Sequence, residues 1–222
     1  MNVEKKQIDR RCIFPAHRPA RLVVLVSGTG SNMKAILDAS LDEGYGAHIV
    51  AVGSDRNGTK GIEIARQAGI PTFEHQLKDF DSREEWNAAM RDSVREYVPD
   101  LVILAGFLKI LNEDFLKAFP SRVINTHNAL LPSFPGIHGP KDALEYGVKI
   151  TGATIFLVDP GIDTGAILAQ VTCPVRDDDT EESLLERIKE VERKQLVDVV
   201  GHMVREGWWQ EGRKASFGSI KR

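Results

Sequence analysis

Two short runs, Arg21-Leu-Val-Val-Leu-Val26 and Leu101-Val-Ile-Leu-Ala105, are apolar at nearly every position. Successive side chains of a β-strand point to opposite faces, so strands of this kind must be buried on both sides. A parallel sheet with helices on each face offers that environment, whereas a sheet with one wet face would alternate. The first run ends in Ser27-Gly28-Thr29-Gly30-Ser31-Asn32, and helical spacing begins with Met33-Lys-Ala-Ile-Leu-Asp38. Strand, glycine turn and helix in this order aim backbone N–H groups and a helix N-terminus at one spot, which suits an anion.

The same alternation of strand and helix continues along the chain. His48–Ser54 reads as a strand, Gly61–Ala68 as a helix and Thr72–Glu74 as a short strand. Ser82-Arg83-Glu84-Glu85 reads as a capping box at the start of a helix that carries Trp86, Met90 and Val94 and stops before Pro99. After the second apolar run comes Gly106-Phe107-Leu108-Lys109-Ile110-Leu111, at a strand's carboxyl end, and Arg122–Ile124 forms another strand. Pro140–Tyr146 is a short helix, and Lys149–Leu157 and Ile167–Val171 are strands. Thr180 caps a long helix running to about Glu206, with Ile188, Glu192 and Leu196 on one stripe. Glu192 thus interrupts an apolar face. The expected fold is α/β: a Rossmann-like, open, mostly parallel twisted sheet with helices on both faces, in a single domain.

Ser27–Asn32 is neither of the two best-known glycine loops. A P-loop needs Gly-Lys-Ser/Thr after its second glycine, and Ser31-Asn32 stands there. A dinucleotide fingerprint needs a third glycine at position 33, which is Met, although Asp55 follows the next strand as a ribose-binding acid would.

The chemistry concentrates in Asn125-Thr-His127-Asn-Ala-Leu-Leu-Pro132-Ser-Phe-Pro135-Gly136-Ile-His138-Gly139. Asn125 and His127, two residues apart at a strand's end, point to one side. In an open α/β sheet the strands' carboxyl ends face the ligand crevice. An amide can donate to a developing oxyanion, and an imidazole can move a proton near neutral pH. Further on, Asp159-Pro-Gly-Ile-Asp163-Thr-Gly165-Ala166-Ile167 offers two carboxylates on a glycine-containing loop.

This stretch, Asn-x-His-x-x-Leu-Leu-Pro-x-x-Pro-Gly, resembles the signature of the folate-dependent formyltransferases. The resemblance covers about residues 21–205 and implies that Asn125, His127 and a later Asp transfer a formyl group from 10-formyltetrahydrofolate. Asp163 matches the family's acid by its spacing to Gly165 and Ile167, with Asp159 as the rival carboxylate. Ser-Gly-x-Gly-Ser-Asn is similar to the phosphate loop of the branch that formylates glycinamide ribonucleotide. On that likeness Gly28, Thr29, Gly30, Ser31 and Asn32 hold the 5′-phosphate and Glu192 holds the ribose or amine of the nucleotide. Phe107, Leu108, Lys109, Ile110 and Leu111 match the folate-wrapping segment, and Arg83 and Asp159 are further contacts on that side. Lys109, Asn128 and Ala166 depart from the family's usual Arg, Pro and Pro. Other acceptors within the family, a formyl-folate hydrolase and a non-catalytic nucleotide-binding module are the alternatives. Relatives that act on tRNA or hydrolyse the folate carry additional domains, for which no room is expected here.

Composition sets the remaining bounds. The chain has 222 residues, 29 basic and 32 acidic, with a net charge of −3, so nothing favours nucleic acid or membranes as partners. Small-molecule substrates are expected, a homodimer is compatible with the sequence, and the compartment is expected to be cytoplasmic. Cys12 and Cys173 make a poor disulfide framework, and neither C-x-x-C nor H-E-x-x-H occurs, so no metal is expected. Residues 1–20 read as a mobile leader, 21–206 as the formyltransferase domain and 207–222 as a C-terminal tail.

Overall fold

A computed structural model describes residues 12–218. Its strands are β1 (Ala20–Val26), β2 (Ala47–Ser54), β3 (Thr72–Glu74), β4 (Leu101–Leu104), β5 (Val123–His127), β6 (Ile150–Leu157), β7 (Ala166–Pro174), β8 (Trp208–Glu211) and β9 (Lys214–Phe217). The helices are α1 (Ser31–Ala39), α2 (Lys60–Gln67), α3 (Arg83–Glu96), α4 (Glu113–Ala118), α5 (Gly139–Tyr146) and α6 (Glu181–Glu206). The strands form one sheet in the order β3-β2-β1-β4-β5-β6-β7-β9-β8. From β3 to β5 all neighbours are parallel, while β6 is antiparallel to both β5 and β7. The fold is therefore α/β with a mostly parallel open sheet.

Strand alternation divides the core as the apolar runs require. Leu22, Val24 and Val26 pack on one face with Met33 and Ile36 of α1 and Leu196 and Val200 of α6. Val23 and Leu25 pack on the other face with Trp86, Met90 and Val94 of α3. β5 follows the same rule: Ile124 joins the α1–α6 layer and Val123 the α3 layer. Consequently Thr126 lies on the α6 side of the sheet, and Asn125 and His127 on the opposite side.

The helix starts obey local chemistry. Ser82 Oγ accepts from the Glu85 N–H at 3.1 Å, and Thr59 and Asn112 cap α2 and α4 similarly. A fully reciprocal capping box occurs at α6, between Thr180 and Ser183. At α1 the position before the helix is Gly30, at φ 70, with no side-chain cap and no acidic residue in the first turn. The leading N–H groups of α1 are thus left for something else.

Two boundary expectations need correction. The segment read as a tail forms the β8–β9 hairpin, which extends the sheet beyond β7. Trp208 is fully buried and donates from Nε1 to the Ser121 carbonyl at 2.6 Å. Part of the leader is also anchored: Ile13 bridges to Trp208, and Ala16 N–H and His17 Nδ1 bond the Asp100 carboxylate at 2.6 and 3.0 Å. Burial pushes the Asp100 carboxyl up, but the N–H groups of Arg21 and Ala16 and the His17 ring outweigh it, leaving it below its ordinary value. Residues 1–11 and 219–222 of the expected leader and tail lie outside the described residues.

If the hairpin belongs to the core, Trp208→Ala will destabilise the protein by ~3–5 kcal/mol in chemical denaturation, the cost of emptying a buried aromatic site. A loss within about 0.5 kcal/mol, as for an exposed position, would return the segment to the status of a tail.

Candidate active site

β1 and β4 are neighbours in the sheet, yet their following segments leave toward opposite faces: α1 packs in one layer and the Phe107 segment in the other. Between them opens a cavity of about 690 Å³. Its walls come from the Ser27–Asn32 loop, residues 104–111, Asn125–Asn128, the 159–163 loop and Glu192. Crevices at such a divergence point are where open α/β sheets bind ligands.

The Ser27–Asn32 loop is tied down on all sides. Ser27 N–H donates to the Gly106 carbonyl and Ser27 Oγ accepts from Leu108 N–H, joining the loop to the next segment. Gly28 accepts from the Gly61 N–H at 3.0 Å. Gly30 approaches α2 so closely that an added Cβ would lie 2.5 Å from Gly61 Cα, while Gly28 has open space around it. The open α1 N-terminus and this loop have the chemistry that suits an anion.

Of the 107–111 segment, Phe107 and Leu111 are buried, and Phe107 stacks on Trp86 at 6.4 Å. Leu108 and Ile110 remain exposed on the cavity wall, as do Ile137 and Ile162. They make an apolar rim. Lys109 lines the same wall, half-buried. Arg83 does not line the cavity; its guanidinium donates to the Ile110 carbonyl at 2.9 Å and so supports the segment from behind.

His127 is 7% exposed, with one ring nitrogen hydrogen-bonded and the other facing a carboxylate. Nε2 lies 2.7 Å from the Phe134 carbonyl, which can only accept, so this nitrogen carries a proton. Nδ1 faces Asp163 Oδ2 at 3.5 Å, too far for a hydrogen bond and near enough for charge to matter. Asp163 is itself fixed by the Gly136 N–H at 2.8 Å. Both Phe134 (φ 55) and Asp163 (φ 54) sit in left-handed backbone conformations that cost energy in residues other than glycine. Asn125 Oδ1 accepts from the Thr126 N–H at 2.9 Å, leaving its Nδ2 hydrogens for the cavity. Asp159 instead bonds within its own loop, to Gly161 N–H and the Thr164 hydroxyl, while remaining on the cavity wall.

On the α6 side, Glu192 is only 3% exposed. Asn32 Nδ2 donates to its Oε1 at 2.5 Å and Asn128 Nδ2 to its Oε2. Burial pushes this carboxyl above its ordinary value, and Asn32, Thr126 and His127 pull it only partly back. The Asn128 contact, and Arg56 and Lys189 on the cavity wall, were missed in the sequence. Among the described residues no three His, Cys, Asp or Glu side chains cluster as a metal site would need.

A free amide N–H pair, an imidazole with a carboxylate behind it and an uncapped helix N-terminus all line one α/β crevice. Residues 20–200 match the family model described as "Formyl transferase". The chain belongs to this formyl transferase family and is a transferase. It is 51% identical over 204 residues to the phosphoribosylglycinamide formyltransferase of Mycobacterium tuberculosis, covering 92% of this chain and 94% of that one. It is 43% identical over 179 residues to a segment of the trifunctional purine biosynthetic protein adenosine-3 of Drosophila melanogaster, 80% of this chain and 13% of that one. The crystal structure of glycinamide ribonucleotide transformylase 1 from Symbiobacterium toebii superposes with a TM-score of 0.87 at 36% identity, over 90% of this chain and 94% of that one.

The two glycines of the loop should separate folding from binding. Gly30→Val, with its positive φ and the backbone of Gly61 in the way, should lower the denaturation midpoint. Gly28→Ala should leave stability within about 0.5 kcal/mol and weaken binding of inorganic phosphate or a phosphorylated acceptor. Equal losses of stability in both variants would show that the loop's packing has been misjudged.

Proposed function

We propose that this chain transfers the formyl group of 10-formyltetrahydrofolate to the amine of glycinamide ribonucleotide. The observation that carries the reading is the fixed His127, with Asp163 beyond Nδ1 and Asn125 beside it on the wall of one cavity. The named relatives and the phosphate-type loop supply the acceptor.

In this reading the 5′-phosphate rests on the Gly28–Asn32 loop and the α1 N-terminus, and Glu192 accepts from the nucleotide's hydroxyls. The folate lies along Phe107–Leu111, its flat apolar body against Leu108 and Ile110. Asp159 and Lys109 flank that side. The acceptor's amine attacks the formyl carbon, and a C–N bond forms as the carbonyl oxygen becomes an oxyanion. Asn125 donates to that oxygen through Nδ2. Because Nε2 is committed to Phe134, Nδ1 is the nitrogen that works: protonated, it donates toward the oxyanion, and neutral, it accepts the amine's proton. Collapse breaks the bond between the formyl carbon and the folate nitrogen, which receives a proton. No covalent enzyme intermediate is required. Most of the acceleration comes from placing two bound substrates in line, with pre-aimed dipoles around the developing charge.

The assay is purified protein with both substrates, following the deformylated folate. Asp163→Asn should reduce kcat by roughly 10²–10⁴, the range for positioned acid–base groups, with little change in either KM. The Asp163→Asn, His127→Ala double variant should be hardly worse than the worse single one, because groups acting as a unit are not additive. Losses that simply multiply would show the two residues acting independently and would defeat this mechanism.

A further inference from the structure

Glu192 sits where three elements meet: Asn32 comes from α1, Asn128 follows β5, and the glutamate is on α6. Each carboxylate oxygen receives one amide N–H, Oε1 from Asn32 and Oε2 from Asn128. Two donors on two oxygens fix the plane of a carboxylate that would otherwise pivot on a flexible stem. Their amide oxygens are in unequal positions. With Nδ2 of Asn32 turned to the glutamate, its Oδ1 is left buried with no hydrogen-bond partner. Asn32 is 7% exposed and lines the cavity, but its Oδ1 is closed off from solvent, so the acceptor that the cavity can use is the glutamate. Glu192 lines the cavity as well, and a carboxylate with its plane fixed there fits a ligand that presents hydroxyl hydrogens.

We infer that Asn128 is a positioning residue that sets nucleotide affinity by holding the Glu192 carboxylate for those hydroxyls. This rests on the acceptor proposed above. Asn128 stands directly after His127, so one strand end serves both functions. His127 faces the transfer chemistry from one side of the sheet, and Asn128 reaches the α6 side two residues beyond Thr126, which also bonds Glu192. A purely structural Asn128 would satisfy a buried carboxylate and affect stability alone. A positioning Asn128 must change how the nucleotide binds and leave the folate unaffected.

The test measures glycinamide ribonucleotide binding by calorimetry, and steady-state KM for both substrates, in wild type, Asn128→Ala, Asn128→Ser and Asn128→Asp. Removing a hydrogen bond to a charged group in Asn128→Ala should weaken nucleotide binding about tenfold. KM for the folate should hold, and kcat should fall less than the nucleotide KM rises. Serine keeps a donor and should recover part of the affinity. Aspartate has the shape of asparagine but sets a like charge against Glu192, and should be worse than alanine; it carries the test if Asn128→Ala does not fold. An analogue of the nucleotide lacking its ribose hydroxyls should lose affinity for wild type and little for Asn128→Ala. Unchanged nucleotide affinity in folded Asn128→Ala or Asn128→Asp, or equal shifts in both KM values, overturns the inference. Wild type that binds the nucleotide without forming deformylated folate would instead overturn the proposed reaction, and the binding series would still decide the role of Asn128.

Discussion

Burial of β1 on both faces and along both edges is the constraint from which the rest of the molecule follows. Leu22 to Val26 have no contact with solvent, so every backbone N–H and C=O of the strand needs a protein partner. β2 and β4 supply them in parallel ladders. Parallel neighbours require crossovers, and the crossovers place helices on both faces. When the chain winds outward in both directions from the β1–β4 pair, the loops that follow these strands must separate. The cavity is a consequence of that separation, and the residues at the ends of β1, β4 and β5 face into it by position alone.

Within the cavity, the backbone decides what the imidazole can do. The Phe134 carbonyl accepts a hydrogen bond from Nε2–H of His127, and the left-handed conformation of Phe134 is part of the loop that presents that carbonyl. Asp163 is likewise held in a strained conformation while Gly136 N–H anchors its carboxylate. Strain in a tight loop persists only where the surroundings over-determine it. Here the surroundings are a buried ring with one nitrogen occupied and a carboxylate at a distance suited to charge and not to hydrogen bonding. Asp163 therefore biases the ring without taking the proton that the reaction would need.

Much of this was legible in the chain because it rests on local chemistry. Apolar runs broken by glycine gave the parallel strands and the loop, and the alternation of a strand put Asn125 and His127 on one side. Glu192 could be singled out because a carboxylate on an otherwise apolar helical stripe needs a partner. Its partners were not legible. Asn32 and Asn128 lie 160 and 64 residues from it in sequence. Nor does a side-chain alphabet show that the group capturing Nε2 is a main-chain carbonyl. The partner of Arg83 was hidden for a related reason: the sequence shows only a cation in a helix's first turn, where the dipole does not favour one, and the carbonyl it bonds is 27 residues away. The β8–β9 hairpin escaped because strands as short as Trp208–Glu211 carry little pattern of their own. Their pairing comes from β7 and Ile13.

The polarity of the cavity is arranged along its length. One end is all donors, the loop amides and the α1 N-terminus, with no acidic residue in the first turn to offset them. The Glu192 carboxylate adds an acceptor to the same wall. The far wall is apolar, with Leu108, Ile110, Ile137 and Ile162 exposed. A ligand with an anionic end, hydroxyls next to it and an amine beyond can lie in only one direction without setting like groups against each other. Asn125 and His127 line the same cavity from the end of β5. For the acceptor proposed above, matching its anion to the donors and its hydroxyls to the Glu192 carboxylate would set the direction of binding, and hence which atom reaches the imidazole.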